Sequence, residues 1–534
     1  MMERELKGKD EVLINDIDEK EFSNTGKEKK IKRIIIFSII LLVIAVIILI
    51  IVLALKKSDD NEKYEILLSD SKFEKPKNFL KQYEFIKIKD SKYKFFLVHD
   101  PKTVSAGIEF RTNFGFTTDV IDGFAHYAEH IFFEGTEEIN EYNITNLVDQ
   151  YDEFNNAYTS YEETVFQFFG AQNTFDTLLD YISKFIKNPV LNETKFMTEI
   201  NAVTSQHDSY NTSWRTESDI LMENANPEHG LSQTITGHTG DNKTIGIYSP
   251  KIIGDYLKNY FRTIFKPENC VFLLYSSLSL EEMREYAQKY FNFNLKKPSD
   301  DFNEMFNKKI KALENPVFTK EQIGKFIVYN ASREIPILMV VFQITEEKKK
   351  YIDASTIMSY LFNGKKEGSL QHFLLKNNYI SGLFFYNDGD FRKYELFEFF
   401  FELTKKGIDQ IDIIIKALFA YINNIKEDKN LDELLKNAKL IAQMNFKNKE
   451  EKKTILPDDI DNILYRNFYY GEKNILGNPI DDFYSKKRID EVFKELSPDN
   501  CFIIIDTPYE ISSSFLTTSE LNYTKNFNTP YKMN

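Results

Sequence analysis

Cysteine is almost missing from this chain: two residues, Cys270 and Cys501, in a length of 534. A disulfide-stapled scaffold is therefore excluded, and so is a metal site built on thiolates. Positive charge is also in short supply. Lys and Arg number 68 against 82 Asp and Glu, leaving a net charge of −14, which excludes nucleic acid as the main partner. Histidine is scarce at seven, and Trp214 is the lone tryptophan. What remains is 42% hydrophobic and 28% charged, the composition of a globular body. At this length a single core is too small, and two domains of roughly 200 residues each are expected.

The one long apolar run is at the N-terminus. Residues 34–55, "IIIFSIILLVIAVIILIIVLAL", carry no charge. At about 1.5 Å per residue they match a hydrocarbon core of about 30 Å. The run is too long for the apolar part of a signal peptide, and it follows a polar leader at 1–33. Lys27, Lys29, Lys30, Lys32 and Arg33 precede it, while Asp59, Asp60 and Glu62 follow. The positive-inside rule then gives a single-pass type II membrane protein, N-terminus cytoplasmic and the body extracellular or lumenal. Six N-x-[ST] sequons, at Asn143, Asn192, Asn211, Asn242, Asn330 and Asn522, are compatible with that side.

A linker at 56–82 leads into a first domain expected at 83–293. "YEFIKIKDSKYKFFLVHD" reads as a hairpin, "VSAGIEFRTNFGF" as a strand, and "NNAYTSYEETVFQFFGA" as two strands. Helices are expected from Asp122, over "EYNITNLVDQYD" and "TFDTLLDYISKFIKN", and from Asn192. "NCVFLLYSS" is an unbroken apolar run, as in a strand buried on both faces. The charged, proline-bounded stretch at 294–320 reads as a linker, and a second pattern of strands and helices fills 321–534. The closing strands stand in matching contexts, "FKPENCVFLLYSS" and "LSPDNCFIIIDTP". That match implies an internal duplication, with the two cysteines at equivalent, separate places. The fold class expected is α+β, two homologous domains, each a mixed sheet packed with helices, after a transmembrane helix.

Chemistry concentrates in "GFAHYAEHIFFEGTEE". His126, Glu129 and His130 stand at i, i+3 and i+4 and share one helix face. Two imidazoles one turn apart can reach one Zn²⁺, and the carboxylate beside them can take a proton from water. H-x-x-E-H is the inverzincin pattern; a chance triplet on a helix is the plain alternative.

The wider context decides between them. "GFAHYAEHIFFEGTEE", "NNAYTS", "EINAV", "NPEHGLS" and, further on, "KKEGSLQHFLLKNNYISGL" occur in order. Together they resemble the insulysin–pitrilysin family of zinc metalloendopeptidases, in the N-terminal half of its insulysin branch, over about residues 83–531. The resemblance implies one Zn²⁺ per chain, with His126 and His130 as ligands and Glu129 as general base. It implies that Asn156 and Ala157 lie on the strand that pairs with substrate backbone. It also places Trp214 near a substrate pocket and Glu199 behind the metal, as a second-shell residue.

The chain departs from the pattern in three places. The family's third ligand is a glutamate seven residues beyond the one matched by Glu199, and Gln206 stands there. A neutral amide leaves the ion at +2, so metal affinity falls; Glu199 or His207 are alternative donors. The family's insulysin-type members have four such domains and this chain has two, which implies a second subunit or homodimer completing the clamshell. Phe385 and Tyr386 occupy positions where glycines shape the family's substrate-anchoring edge. The sequence thus reads as a membrane-anchored zinc metalloendopeptidase hydrolysing peptides. The alternative is a catalytically impaired pseudoenzyme serving as a peptide-binding or partner subunit.

Overall fold

In the computed structural model the described residues are 63–533, together with Phe37, Leu42 and Ile44. Within that span, residues 135–153, 190, 192, 210–212, 234–244, 331–332, 346–353, 363, 389–390, 452–456, 478–483, 508–520 and 525–527 are excepted. The anchor expected at 34–55 thus falls outside the described residues, save those three helical positions, as does the helix expected over "EYNITNLVDQYD". Among the described residues no helix is long and apolar enough to cross a membrane. Residues 64–534 form one compact unit.

Two seven-stranded sheets organise that unit. The first contains β1 (Tyr64–Leu68), β2 (Gln82–Ile88), β3 (Lys94–His99), β4 (Ser105–Thr112), β5 (Phe154–Thr159), β6 (Thr164–Ala171) and β7 (Cys270–Ser276). Helices α1 (Phe124–Phe132), α2 (Phe175–Lys187), α3 (Glu193–Ser209), α4 (Ser213–Glu223), α5 (Pro250–Ile264) and α6 (Leu280–Phe291) are interspersed with or follow these strands. The stretch read as a linker carries a further helix, α7 (Asp300–Ala312), whose Phe302 and Phe306 are buried in the first core. Their i, i+4 spacing gives the helix an apolar stripe despite its charge.

The second sheet contains β8 (Phe326–Tyr329), β9 (Ile337–Thr345), β10 (Ile380–Asp388), β11 (Tyr394–Leu403), β12 (Cys501–Asp506), β13 (Asn522–Tyr523) and β14 (Pro530–Met533). With it come α8 (Ala354–Phe362), α9 (Leu370–Lys376), α10 (Ile411–Lys426), α11 (Leu431–Lys447), α12 (Pro457–Tyr470) and α13 (Lys486–Glu495).

The strand orders are β5-β6-β4-β7-β3-β2-β1 and β10-β11-β9-β12-β8-β14-β13. They superimpose one for one. Each closing strand runs antiparallel to one neighbour (β7 to β4, β12 to β9) and parallel to the other (β7 to β3, β12 to β8). Only the outer pair differs in origin: β1 and β2 come first in the chain among the strands of their sheet, whereas β13 and β14 come last in theirs, and β1 lies within the stretch 56–82 expected as a linker. The duplication read from the two closing strands is thus present in the topology. Cys270 and Cys501 open the equivalent strands, buried and free.

All seven residues of β7 are buried, as its unbroken apolar sequence requires. On one face, Phe95, Leu97, Phe110, Phe272 and Leu274 pack with the helices of their own domain. On the other, Phe96, Val98, Val271, Leu273 and Tyr275 meet Phe446, Ile460, Leu464, Ile475 and Leu476 from the far end of the chain. The second sheet repeats the exchange. Its Ile337, Met339, Val341, Phe502 and Ile504 are covered by Ile220, Leu221 and Met222 of α4 and by Val317 and Phe318, just after α7. Each such side chain contributes about 1.5–3 kcal/mol on burial, so several together hold the two domains as one body.

Candidate metal centre and active site

Helix α1 begins at Gly123, whose φ of 77° lies in the left-handed region, where a residue lacking Cβ is at no disadvantage. The buried Asp119 carboxylate accepts from the Ala125 backbone N–H at 2.9 Å and so satisfies one of the first-turn donors. Phe124, Tyr127, Ala128, Ile131 and Phe132 fill the core. The other side of the helix is left to His126, Glu129 and His130.

The structure brings the three together as their spacing predicts. The rings of His126 and His130 lie 4.9 Å apart between centroids and nearly perpendicular, at 82°. His126 and Glu129 are both 7% exposed. Helix α3 supplies the rest. Glu199 and Gln206, two turns apart, meet opposite nitrogens of one imidazole: His130 Nδ1 lies 3.2 Å from Glu199 Oε2, and His130 Nε2 lies 3.1 Å from Gln206 Oε1. Gln206, rather than its neighbour His207, meets His130; His207 is buried, with Nδ1 3.4 Å from Asp208. Glu199 keeps the outer position.

The carboxylates differ in their electrostatics. Burial pushes Glu129 up to about 7, against the Thr159 hydroxyl and the His130 ring, which pull it down. The hydrogen bond with His130 holds Glu199 below the usual carboxylate range. Burial works to lower His130, but its bond to Glu199 and the charges of Glu129 and Glu199 outweigh it, and the ring is raised. Protonated, that ring donates from both nitrogens. With the Nε2 proton gone, its lone pair and the Gln206 oxygen face the same space, and the Nδ1–H held by Glu199 fixes the tautomer.

Whether zinc fits can be judged from this donor set. Among the described residues no group of three His, Cys, Asp or Glu side chains converges as for a metal. The third place is taken by an amide. Two neutral imidazoles and an amide oxygen suit a divalent ion in kind, with less charge compensation than a carboxylate would give.

Strand β5 lies at the edge of the first sheet, paired on one side with β6 through Asn156–Gln167 and Ala157–Phe166. Its other edge has no strand among the described residues. Trp214 belongs to α4, but its side chain lies outside the described residues. One contact at the site was not read from the sequence. Thr159, at the end of β5, donates to Glu129 Oε2 at 2.7 Å. Strand alternation was the available signal, since it places Thr159 on the same face as Ala157.

Sequence and structure comparisons bear on the family and the fold. Residues 94–239 match the family profile described as insulinase, peptidase family M16, and residues 251–441 match the M16 inactive domain. An insulin-degrading enzyme homolog of Dictyostelium discoideum is 26% identical over 465 residues, 84% of this chain and 45% of that relative. The crystal structure of pitrilysin superimposes with a TM-score of 0.76 at 20% identity, covering 89% of this chain and 49% of that one. A protease from Helicobacter pylori superimposes with a TM-score of 0.60 at 16% identity, covering 80% of this chain and 100% of that one. The fold is that of the M16 peptidases. The chain belongs to the insulysin–pitrilysin family, and it spans less than half the length of the curated relative it matches.

Proposed function

We propose that the chain is a zinc metalloendopeptidase subunit of the insulysin type, anchored to a membrane through residues 34–55. The observation that carries this reading is the pairing of the His126 and His130 rings, 4.9 Å apart between centroids, with the Gln206 amide oxygen 3.1 Å from His130 Nε2 and with Glu129 held by Thr159 of the edge strand β5. His126, His130 and Gln206 would hold the ion, which supplies Lewis-acid activation of a water molecule. Glu129 takes the proton of the attacking water and returns it to the leaving amine. Thr159 orients that carboxylate by donating to Oε2. A peptide adds as a further strand along Asn156 and Ala157, which reads main chain and tolerates many sequences. A further pair of domains, whichever chain carries it, would complete the clamshell and supply groups that steady the scissile carbonyl.

The Gln206 amide favours a second reading, a peptide-binding partner subunit without catalysis. Zinc content of the purified full-length chain, measured by elemental analysis beside Gln206→Glu, separates the two. Stoichiometric zinc in the natural chain supports the peptidase. Zinc in the variant alone would mean that the fold is intact and catalysis was lost at residue 206.

A further inference from the structure

Strand β5 is tied down on both faces. Thr159 holds it to Glu129 on the side of α1. Adjacent side chains on a strand point to opposite faces, and Tyr158 turns the other way. Its hydroxyl donates to Asp461 of α12 at 2.7 Å and accepts from Arg111 Nη2 at 3.1 Å. Arg111, on β4, is fully buried and pairs both with Asp461 and with Glu163 of the β5–β6 turn.

The same turn is held a second time from the second half of the chain. Arg392, just before β11, donates to the two oxygens of Glu162 from its backbone N–H at 2.8 Å and from Nε at 3.1 Å. The fully buried Phe391 stands edge-on to Tyr161, ring centroids 5.1 Å apart. Tyr158 and Asp461 are 303 residues apart in the chain. Three of the groups that fix this edge strand and its turn, Asp461, Phe391 and Arg392, are therefore supplied by the second half of the molecule.

We propose that Tyr158 and Asp461 are positioning residues for peptide binding, through which helix Pro457–Tyr470 fixes the open edge of β5 against the metal helix. This rests on reading β5 as the substrate strand. A substrate added by main-chain pairing senses the position of every amide along that edge, so release of one staple weakens binding without touching a substrate contact.

The experiment uses the full chain in a Glu129→Gln background, so that peptide is bound and not cut, with Tyr158→Phe and Asp461→Asn introduced separately and together. Hydrogen exchange is followed by mass spectrometry across residues 154–159, and the Kd of a fluorescein-labelled unstructured peptide is measured by anisotropy. Exchange over 154–159 is expected to accelerate at least about tenfold in both single variants. Kd should rise about fivefold or more, with the double variant no worse than the worse single one. Unchanged exchange across β7 reports an intact fold, and should Asp461→Asn not fold, Tyr158→Phe decides alone. Unchanged exchange over 154–159, or an unchanged Kd, would overturn the proposal. If the background chain binds no peptide, the reading of β5 as substrate strand fails and takes the proposal with it.

Discussion

The carboxylate of Glu199 lies 3.2 Å from Nδ1 of His130, on the side of the ring away from Gln206. It fixes which nitrogen carries the proton and which is left facing the Gln206 oxygen. Outer partners of this kind are typically worth 10–100-fold in metal affinity. Glu199→Gln is expected to weaken zinc binding by about that factor, read by competition with a chromophoric chelator. Equal affinity in the two proteins would mean that the ring is oriented by something else.

Gln206→Glu should act in the opposite direction. It places a negative charge where the amide oxygen now stands, and the net charge of the zinc site falls from +2 to +1. Zinc affinity should increase at least about tenfold, the equivalent of ~1.4 kcal/mol. The same competition assay reads it, and a decrease would show that residue 206 does not face the ion.

Glu129→Gln keeps the shape of the side chain and removes its basicity. Peptide cleavage, followed by mass spectrometry of the fragments, should fall by about 10²–10⁴, with zinc stoichiometry unchanged. Cleavage at the natural rate in this variant would rule out Glu129 as the base.

Glu109 governs a pH dependence of stability. Burial pushes its carboxyl up to about 8, against the pull of Arg111, with Asp461 and Glu163 adding to the rise. The folded state therefore holds this proton more tightly than the unfolded chain does. The resulting stabilisation is whole below about pH 4.5, declines as pH rises, and is gone above about 8. Glu109→Gln removes that decline. Its thermal midpoint should match the natural chain near pH 5 and exceed it by about 1–3 °C at pH 8.5. Parallel curves for the two proteins would contradict the assignment.

Cys270 and Cys501 should be silent in the native state. Both are buried and free, and burial raises both thiols, Cys501 to about 12. A maleimide reagent is expected to label neither in the folded chain and both in denaturant. Rapid labelling of the native protein would mean that one of the closing strands opens readily.

Local spacing was legible along the chain. His126, Glu129 and His130 fall together because a helix repeats every 3.6 residues, whatever surrounds it. The unbroken apolar run of β7 announced a strand buried on both faces. The matching contexts of Cys270 and Cys501 announced the repeated topology. Misread was the stretch at 294–320, where abundant charge and flanking prolines hid the two phenylalanines that dock α7.

By itself the sequence determined most of the elements, helix α1 and the face its three polar residues share, because these depend on periods of two and of 3.6 within short stretches. Tertiary structure decided what covers each sheet's second face, and it set Gln206 and Glu199 on opposite nitrogens of His130. It also joined Tyr158 to Asp461 and Thr159 to Glu129. Those contacts close over separations of 30 to 303 residues. They are fixed by how the helices and sheets pack, and no local pattern encodes the distance between two side chains so far apart in the chain.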